Sequence, residues 1–146
     1  MKPIAFIRFN TQIGKPKPVT IRALLDSGGS ESLVTSKFVK KLRVKKSSKS
    51  KTVWTTPGGA MKTSSTVKAQ FTMPELQDDK LIEWDLHVAD NLGDYDMIIG
   101  RDTLEFLKID LLFSNHTVEW GTATMPYSRM AMPLLKSPTT SRKLLR

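Results

Sequence analysis

The most regular pattern in the chain is an alternation of side-chain polarity over residues 61–73. Apolar or small residues occupy one set of alternate positions, and Lys, Ser, Thr or Gln occupies the other. Successive side chains of a β-strand point to opposite faces of a sheet, so this pattern predicts a long strand with one buried face. The turn sequence Pro57-Gly58-Gly59 precedes this strand, and residues 53–56 precede the turn. Together these segments predict a β-hairpin with a glycine-rich tip.

Shorter apolar segments predict further strands at residues 4–9, 19–25, 81–88, 97–99, 111–113 and 117–120. Two short helices are also predicted. Thr35 can cap a helix in which Phe38, Val39 and Leu42 share one face. Asp102 opens a second segment with the spacing of a capping box. Many strands separated by turns, with only two short helices, predict an all-β fold that closes into a β-barrel.

The composition fits one domain and excludes several classes of chemistry. The chain has 146 residues, of which 39% are hydrophobic, and this is enough for a single core. It has no cysteine, which excludes disulfides, thiol catalysis and Cys-ligated metals. The two histidines, His87 and His116, lack the spacing of a metal site. We therefore expect neither a metal nor another cofactor.

The length of the apolar segments bears on location. No apolar run reaches the roughly 20 residues that a membrane helix needs, and Arg8 interrupts the N-terminal apolar segment before a signal peptide could form. We expect an intracellular, cytoplasmic protein without membrane contact. The folded domain is expected to span residues 1–121. Residues 122–146 are expected to leave the core as a basic tail containing Pro, Ser and Thr.

The formal net charge of +9 is unevenly distributed. Eight Lys or Arg residues and no acid lie between Lys37 and Lys51, whereas twelve of the fourteen acids lie between Glu75 and Glu119. A basic run can attract a phosphate backbone, but a solvated loop and helix face explains such a run more often. A weak nucleic-acid contact through this run remains an alternative.

One carboxylate stands where a predicted strand ends. The sequence Leu24-Leu25-Asp26-Ser27-Gly28 carries Asp26 from an apolar strand into a tight turn, and Gly28 permits close approach of another backbone. Asp-Ser-Gly alone is a weak signal, because an ordinary Asx turn has the same composition. Two further features accompany it in order along the chain. They are the Gly58-Gly59 hairpin and the sequence Ile98-Ile99-Gly100-Arg101-Asp102, which runs from a strand into a capped helix.

In this order, the three segments resemble the signature of the retropepsins, the aspartic proteases of retroviruses and retrotransposons. Residues 54–59 and 95–102 are most similar to the proteases of gypsy-like LTR retrotransposons. The resemblance covers residues 4–121. It implies a closed β-barrel that acts as a homodimer, with Asp26 supplied once by each copy. The chain agrees with this implication, because it contains no second Asp-Ser/Thr-Gly and is too short for two lobes.

The resemblance also implies roles for individual residues. The two Asp26 carboxyls would share a proton and activate a water, Ser27 would donate a hydrogen bond across the dimer axis, and Gly28 would line the substrate backbone. Pro57, Gly58 and Gly59 would form the tip of a flap that closes over an extended peptide.

Arg101, which lies between Gly100 and Asp102, would make a structural ion pair that braces the loop after Asp26. Retropepsins usually continue Asp-Ser/Thr-Gly with Ala and often an acid, whereas this chain has Gly29 and Ser30. Glu31 or Asp102 would therefore have to be the anionic partner of Arg101.

The leading hypothesis is an aspartic endopeptidase that processes a retrotransposon polyprotein, inside a virus-like particle if the chain belongs to such an element. A retropepsin-like dimerisation or binding module without turnover is one alternative, because Gly29 loosens the turn. A basic nucleic-acid-binding domain is another. Hydrophobic substrate subsites are suggested by the apolar residues Leu33, Val53, Met61 and Ile98.

Overall fold

The computed structural model describes residues 1–9, 18–42, 46–48, 52–56 and 59–128. Strands and two short helices alternate along these ranges. In chain order they are β1 (Ile4–Phe9), β2 (Val19–Leu25), β3 (Leu33–Thr35), α1 (Ser36–Leu42), β4 (Lys46–Ser48), β5 (Thr52–Thr56), β6 (Gly59–Met73), β7 (Gln77–Ala89), β8 (Met97–Ile99), α2 (Arg101–Leu107), β9 (Ile109–Leu112), β10 (Thr117–Trp120) and β11 (Ala123–Pro126).

Six of these strands close a barrel. The strands β1, β2, β8, β3, β7 and β6 are hydrogen-bonded in that order, and β6 returns to pair with β1 at Arg8–Thr72 and Phe9–Phe71. The strands β4 and β5 also pair with β6, outside this ring. The prediction of an all-β, closed barrel with two short helices is confirmed.

The core fills the barrel, and β6 shows how the sequence pattern produces it. Val67, Ala69, Phe71 and Met73 are buried, whereas Lys68 between them is exposed. The ring of Phe71 lies 5.4 Å from that of Phe9, which also meets the ring of Phe38 from α1 at 5.0 Å. Burying each such side chain contributes about 1.5–3 kcal/mol, so the alternating face of β6 is a main source of stability.

The two helices differ in how they begin. The hydroxyl of Thr35 accepts the N–H of Phe38 at 3.3 Å, and Phe38, Val39 and Leu42 are buried, as the sequence predicts for α1. The predicted cap of α2 at Asp102 is wrong. This helix begins at Arg101 and follows Gly100, which has no side chain that could cap it. The carboxylate of Asp102 does not cap the helix either, because it accepts hydrogen bonds from Ser32 and Trp84.

A second sheet, with strand order β11-β10-β9, follows α2 and packs on the barrel. Met125 and Tyr127 are buried in the main core, and the backbones of Lys2 and Ser128 exchange hydrogen bonds of 2.9 and 2.8 Å. The expectation that the chain leaves the core after Gly121 is therefore wrong, because these side chains extend the packed region to Ser128. The rest of the expected tail, residues 129–146, lies outside the described residues. Among the described residues, no helix is long and apolar enough to cross a membrane.

Candidate active site

Asp26 follows the last residue of β2, and backbone hydrogen bonds to β8 and to the residue before β1 fix its position. Its N–H donates to the carbonyl of Ile99 in β8 at 2.8 Å. The N–H of Leu25 donates to the carbonyl of Pro3, just before β1, also at 2.8 Å. Leu25 is buried, whereas Asp26 is partly exposed. The chain therefore delivers one carboxylate from the barrel wall to an accessible surface.

The turn after β2 holds the Asp26 carboxylate and leaves space around it. The N–H of Gly28 donates to Oδ1 of Asp26 at 2.9 Å, and the N–H of Gly29 donates to the Asp26 carbonyl at 3.2 Å. A Cβ atom on Gly28 would lie 3.3 Å from Oδ1, and one on Gly29 would lie 3.3 Å from Oδ2. Ser27 and Gly28 are exposed. An oriented and accessible carboxyl of this kind can exchange a proton with a water.

The start of α2 supports the loop from the other side. The N–H of Arg101 donates to the carbonyl of Gly29 at 2.7 Å, and that of Asp102 donates to Ser30 at 3.3 Å. Gly100 makes this contact possible, because a Cβ there would lie 2.4 Å from the carbonyl oxygen of Glu31. The motif that begins at Ile98 therefore packs, backbone against backbone, on the loop that carries Asp26.

Asp102 links the loop, α2 and β7 through its carboxylate. Oδ1 accepts the hydroxyl of Ser32 at 2.8 Å and the N–H of Thr103 at 2.7 Å. Oδ2 accepts the N–H of Ser32 at 3.3 Å and Nε1–H of Trp84 at 2.9 Å. The sequence does not reveal the roles of Ser32 and Trp84, because both are far from Asp102 along the chain.

The predicted ion pair of Arg101 with Glu31 or Asp102 is wrong. The Arg101 side chain is 57% exposed, and its Nε lies 3.5 Å from Oε1 of Glu105, one helical turn further along α2. The physical reason is that Asp102 is already occupied by several donors, while Glu31 contacts His87. Arg101 thus braces the loop through its backbone N–H.

His87 is a contact of the loop that the sequence does not identify. Its Nε2 contacts Oε2 of Glu31, and its backbone N–H donates to the carbonyl of Ser32 at 3.1 Å. The parallel pairing of β3 with β7 produces this contact, because it aligns Leu33 with His87. No local pattern around His87 encodes a pairing over this distance in sequence.

The predicted hairpin is present in the backbone. β5 and β6 pair antiparallel from Thr52–Thr63 to Thr56–Gly59, so Gly59 begins β6 at the tip end. Pro57 and Gly58 lie outside the described residues.

A small apolar cluster lies next to the Asp26 loop, apart from the main core. Leu33, Ala89 and Leu92 are buried in it, and Ile98 packs against them. Ile98 immediately precedes Ile99, which accepts the Asp26 N–H. The side chains of Val53 and Met61, the other suggested subsite residues, lie outside the described residues.

Tyr95 is buried in the segment that leads to β8. Burial raises the pKa of its hydroxyl, the charge of Arg22 acts in the opposite direction, and Asp94 adds to the increase. Tyr95 therefore stays uncharged at neutral and acidic pH, and it does not add a charge near β8.

The structure describes only part of the basic run. Lys37, Lys40 and Lys41 are exposed on α1, but much of the basic run lies outside the described residues. Within the described ranges, no three His, Asp or Glu side chains are grouped so that they could hold a metal ion.

Solved structures of a retroviral protease and of a retroviral protease-like domain share this fold. The retroviral protease-like domain of Ddi1 from Leishmania major has a TM-score of 0.60 and 13% identity, over 91% of this chain and 99% of that one. The EIAV protease complexed with the inhibitor HBY-793 has a TM-score of 0.56 and 23% identity, over 77% of this chain and 94% of that one. The barrel is therefore a retroviral protease-like fold.

The family follows from the sequence comparison. Residues 10–103 match the model of a family described as aspartyl protease. This range includes the Asp26 loop, the hairpin and the start of α2, and it is more than half of the chain. The chain belongs to the aspartyl protease family. The comparison with curated proteins gives no match.

Proposed function

We propose that this protein is an aspartic endopeptidase whose active site forms between two copies of the chain. The observation that carries the proposal is the Asp26-Ser27-Gly28 turn, which presents one oriented carboxylate on a retroviral protease-like barrel. The sequence contains this triplet once, while the chemistry needs two carboxyls. A two-fold axis beside Asp26 is the simplest way to supply the second.

The mechanism follows from the pairing of two like groups. Two carboxyls about 3 Å apart cannot both ionise, so they share one proton. The ionised carboxyl takes a proton from a water, and the water oxygen attacks the carbonyl carbon of the scissile peptide bond. The protonated carboxyl gives its proton to the carbonyl oxygen, which forms a tetrahedral diol. The carboxyl that took the water proton then passes it to the amide nitrogen, a diol hydroxyl returns a proton to the other carboxyl, and the C–N bond breaks to give the acid and the amine. The Gly28 N–H holds one oxygen of each Asp26 in place, and the exposed Ser27 hydroxyl would bond across the axis.

A groove beside Ser27 supports the proposed dimer. It has a volume of about 370 Å³ and lies between α2 and β9. A partner whose Asp26 faces this Asp26 would cover the groove, because Ser27, which lines the groove, directly follows Asp26 in the chain. A two-fold interface brings a surface against itself and must be self-complementary. The groove is compatible with this condition, since it combines both charge signs with an exposed aromatic ring, through Arg101, Glu105, Lys108, Asp110 and Phe113.

The proposed substrate is an extended segment of polypeptide. It would lie between the Asp26 loop and the β5–β6 hairpin, with Pro57, Gly58 and Gly59 closing over it and apolar side chains reaching the cluster around Leu33. The similarity of residues 54–59 and 95–102 to gypsy-like proteases supports a retrotransposon polyprotein as the natural substrate. Its site of action would then be the cytoplasm or a virus-like particle.

The proposal is tested by cleavage and sedimentation of one purified protein. Wild type should cleave peptides from a random library, fastest at acidic pH, and should sediment as a dimer. The Asp26→Asn variant should lose at least about 1,000-fold in kcat/KM while it keeps its dimer and its melting temperature. Asp90→Asn, which changes an exposed acid, is the matched control. A wild type that cleaves as a strict monomer would contradict the proposal, as would an Asp26→Asn variant with full activity.

The alternatives give different results in the same experiments. A dimer that cleaves no peptide at any pH would indicate a binding module. Salt-sensitive binding of RNA that is lost when Lys37, Lys40 and Lys41 are neutralised would indicate a nucleic-acid-binding domain.

A further inference from the structure

The loop that carries Asp26 is held on its far side by a titratable pair. Nε2 of His87 contacts Oε2 of Glu31, and the exposed fractions of the two side chains are 22% and 40%. The backbone N–H of His87 also donates to the carbonyl of Ser32, the next residue of the loop. His87 of β7 therefore contacts two consecutive loop residues, the side chain of Glu31 and the backbone of Ser32.

A displacement of Glu31 would reach the neighbours of Asp26. The carbonyl of Glu31 lies so close to Gly100 that a Cβ there would be only 2.4 Å away. Gly100 leads directly into Arg101 and Asp102, whose N–H groups donate to Gly29 and Ser30. The loop is thus clamped between β7 and α2, and loosening of one side changes the other.

The chemistry of the pair makes the clamp sensitive to pH. Among ionisable side chains, the imidazole is the one whose charge ordinarily changes between mildly acidic and neutral pH. A histidine–glutamate pair therefore carries both charges only in a mildly acidic window. Above that window the imidazole can still donate a hydrogen bond, but the attraction between charges is gone.

Other charged side chains lie beside Glu31. Lys68 of β6, Glu83 and Asp85 of β7, and Asp102 of α2 line the same cleft as Glu31. β3, which pairs with β7 at His87, contains no titratable residue.

We propose that Glu31 and His87 are positioning residues that tighten the Asp26 loop at mildly acidic pH and release it as the imidazole loses its proton. Neither residue is assigned contact with the substrate. The effect on cleavage rests on the proposed function, but the effect on the loop does not.

The first test measures the loop without catalysis. In Asp26→Asn protein, which lacks the titration of the carboxyl pair, amide hydrogen exchange of Arg101 and Asp102 is measured at pH 5.5 and 7.5. Protection factors should fall by about two- to fivefold at the higher pH, the range expected for a partly exposed ion pair. Adding His87→Gln, which keeps a neutral donor, should abolish this fall.

The matched control is the other histidine. His116 lies in the turn between β9 and β10 with φ of 55°, a conformation that Asn tolerates, so His116→Asn should leave the fall in protection unchanged. Equal protection factors at the two pH values would overturn the proposal. So would a fall that persists after His87→Gln.

The second test measures cleavage. Glu31→Gln and His87→Gln should each lower kcat/KM at pH 5.5 by about two- to fivefold, the double variant no further, and all should lose less activity than wild type up to pH 7.5. Wild type that cleaves nothing would refute the proposed function, while the exchange measurement would still decide the role of the pair. Cleavage with identical pH profiles in all variants would refute the role of the pair alone.

Discussion

Asp102 is the residue at which most hydrogen bonds behind the Asp26 loop converge. Oδ1 accepts hydrogen bonds from the hydroxyl of Ser32 and from the N–H and hydroxyl of Thr103, and Oδ2 accepts from the N–H of Ser32 and Nε1–H of Trp84. Only a carboxylate can accept on both sides, because an amide presents donors on one of them. The hydrogen bonds around this residue therefore favour a carboxylate over an amide.

Replacement of Asp102 by Asn should destabilise the fold. In either orientation, the Asn NH₂ group would face two donors, and at least one buried donor would lose its acceptor, at a cost of about 1–3 kcal/mol. Urea denaturation followed by Trp fluorescence measures the change. Asp90→Asn, at an exposed position, should leave the free energy of unfolding unchanged within about 0.5 kcal/mol. An equally stable Asp102→Asn variant would show that the network contributes little.

Two glycines near Asp26 should respond differently to a methyl group. Gly100→Ala places its Cβ 2.4 Å from a backbone oxygen that cannot move alone, so a loss of about 1–3 kcal/mol is expected. A Cβ from Gly29→Ala meets the end of the Asp26 side chain at 3.3 Å and the Asp26 backbone oxygen at an ordinary contact distance of 3.6 Å, so this variant should stay within about 1 kcal/mol of wild type. Thermal unfolding of both variants, side by side, measures the difference. Equal losses would argue against the close packing of Gly100 on Glu31.

At the scale of elements, the last strand of the second sheet is part of the fold. β11 pairs with β10 along its length, and it brings Met125 and Tyr127 into the core. A chain that ends at Gly121 should therefore lose about 3 kcal/mol or more, a large part of the stability of a small domain. A chain that ends at Ser128 keeps every described strand and should unfold cooperatively near the wild-type temperature. Circular dichroism during heating distinguishes the two, and equal melting curves would contradict this role of β11.

The elements that the sequence predicts are those with a local period. The alternation over residues 61–73 predicts β6 because one face of that strand is buried and the other is not. The N-cap of α2 is misplaced by two residues, from Gly100 to Asp102. The capping-box spacing at Asp102 and Glu105 is a local signal, while the Asp102 carboxylate accepts hydrogen bonds from Ser32 and Trp84. β11 is missed because Pro126 and the polar residues around it hide the two buried side chains.

The same limit applies to the candidate site: its local motifs can be predicted from the sequence, whereas its contacts between distant residues cannot. The Asp26 turn and the Ile98–Asp102 segment are recognisable because their glycines stand at fixed places in a short sequence. The contact between Glu31 and His87 depends on the register of β3 against β7, and no local pattern specifies that register. The predicted ion-pair partner of Arg101 is wrong for a related reason. Glu105 lies one helical turn away and pairs with the Arg101 side chain in place of the acids predicted from the sequence.

At the scale of the whole molecule, the proposed site shared by two copies should make activity depend on the protein concentration and on which subunits form each dimer. If wild type is mixed with an equal amount of Asp26→Asn protein and subunits exchange, about a quarter of the dimers should contain two Asp26 residues. Activity per wild-type subunit should then fall to about half, as measured with a fluorogenic peptide before and after exchange. Asp90→Asn protein added in the same amount should cause no such loss. Unchanged activity in the Asp26→Asn mixture would mean that one chain suffices.

The paired backbones of Lys2 and Ser128 place two distant points of the sequence side by side, with hydrogen bonds in both directions. A short glycine linker could span them, and the exposed bend at residues 113–116 could then become the new pair of ends. Such a circular permutant would retain all described strand pairings in a different order along the chain. Its assembly would show that the barrel is specified by contacts in space and not by the direction in which the polypeptide is read.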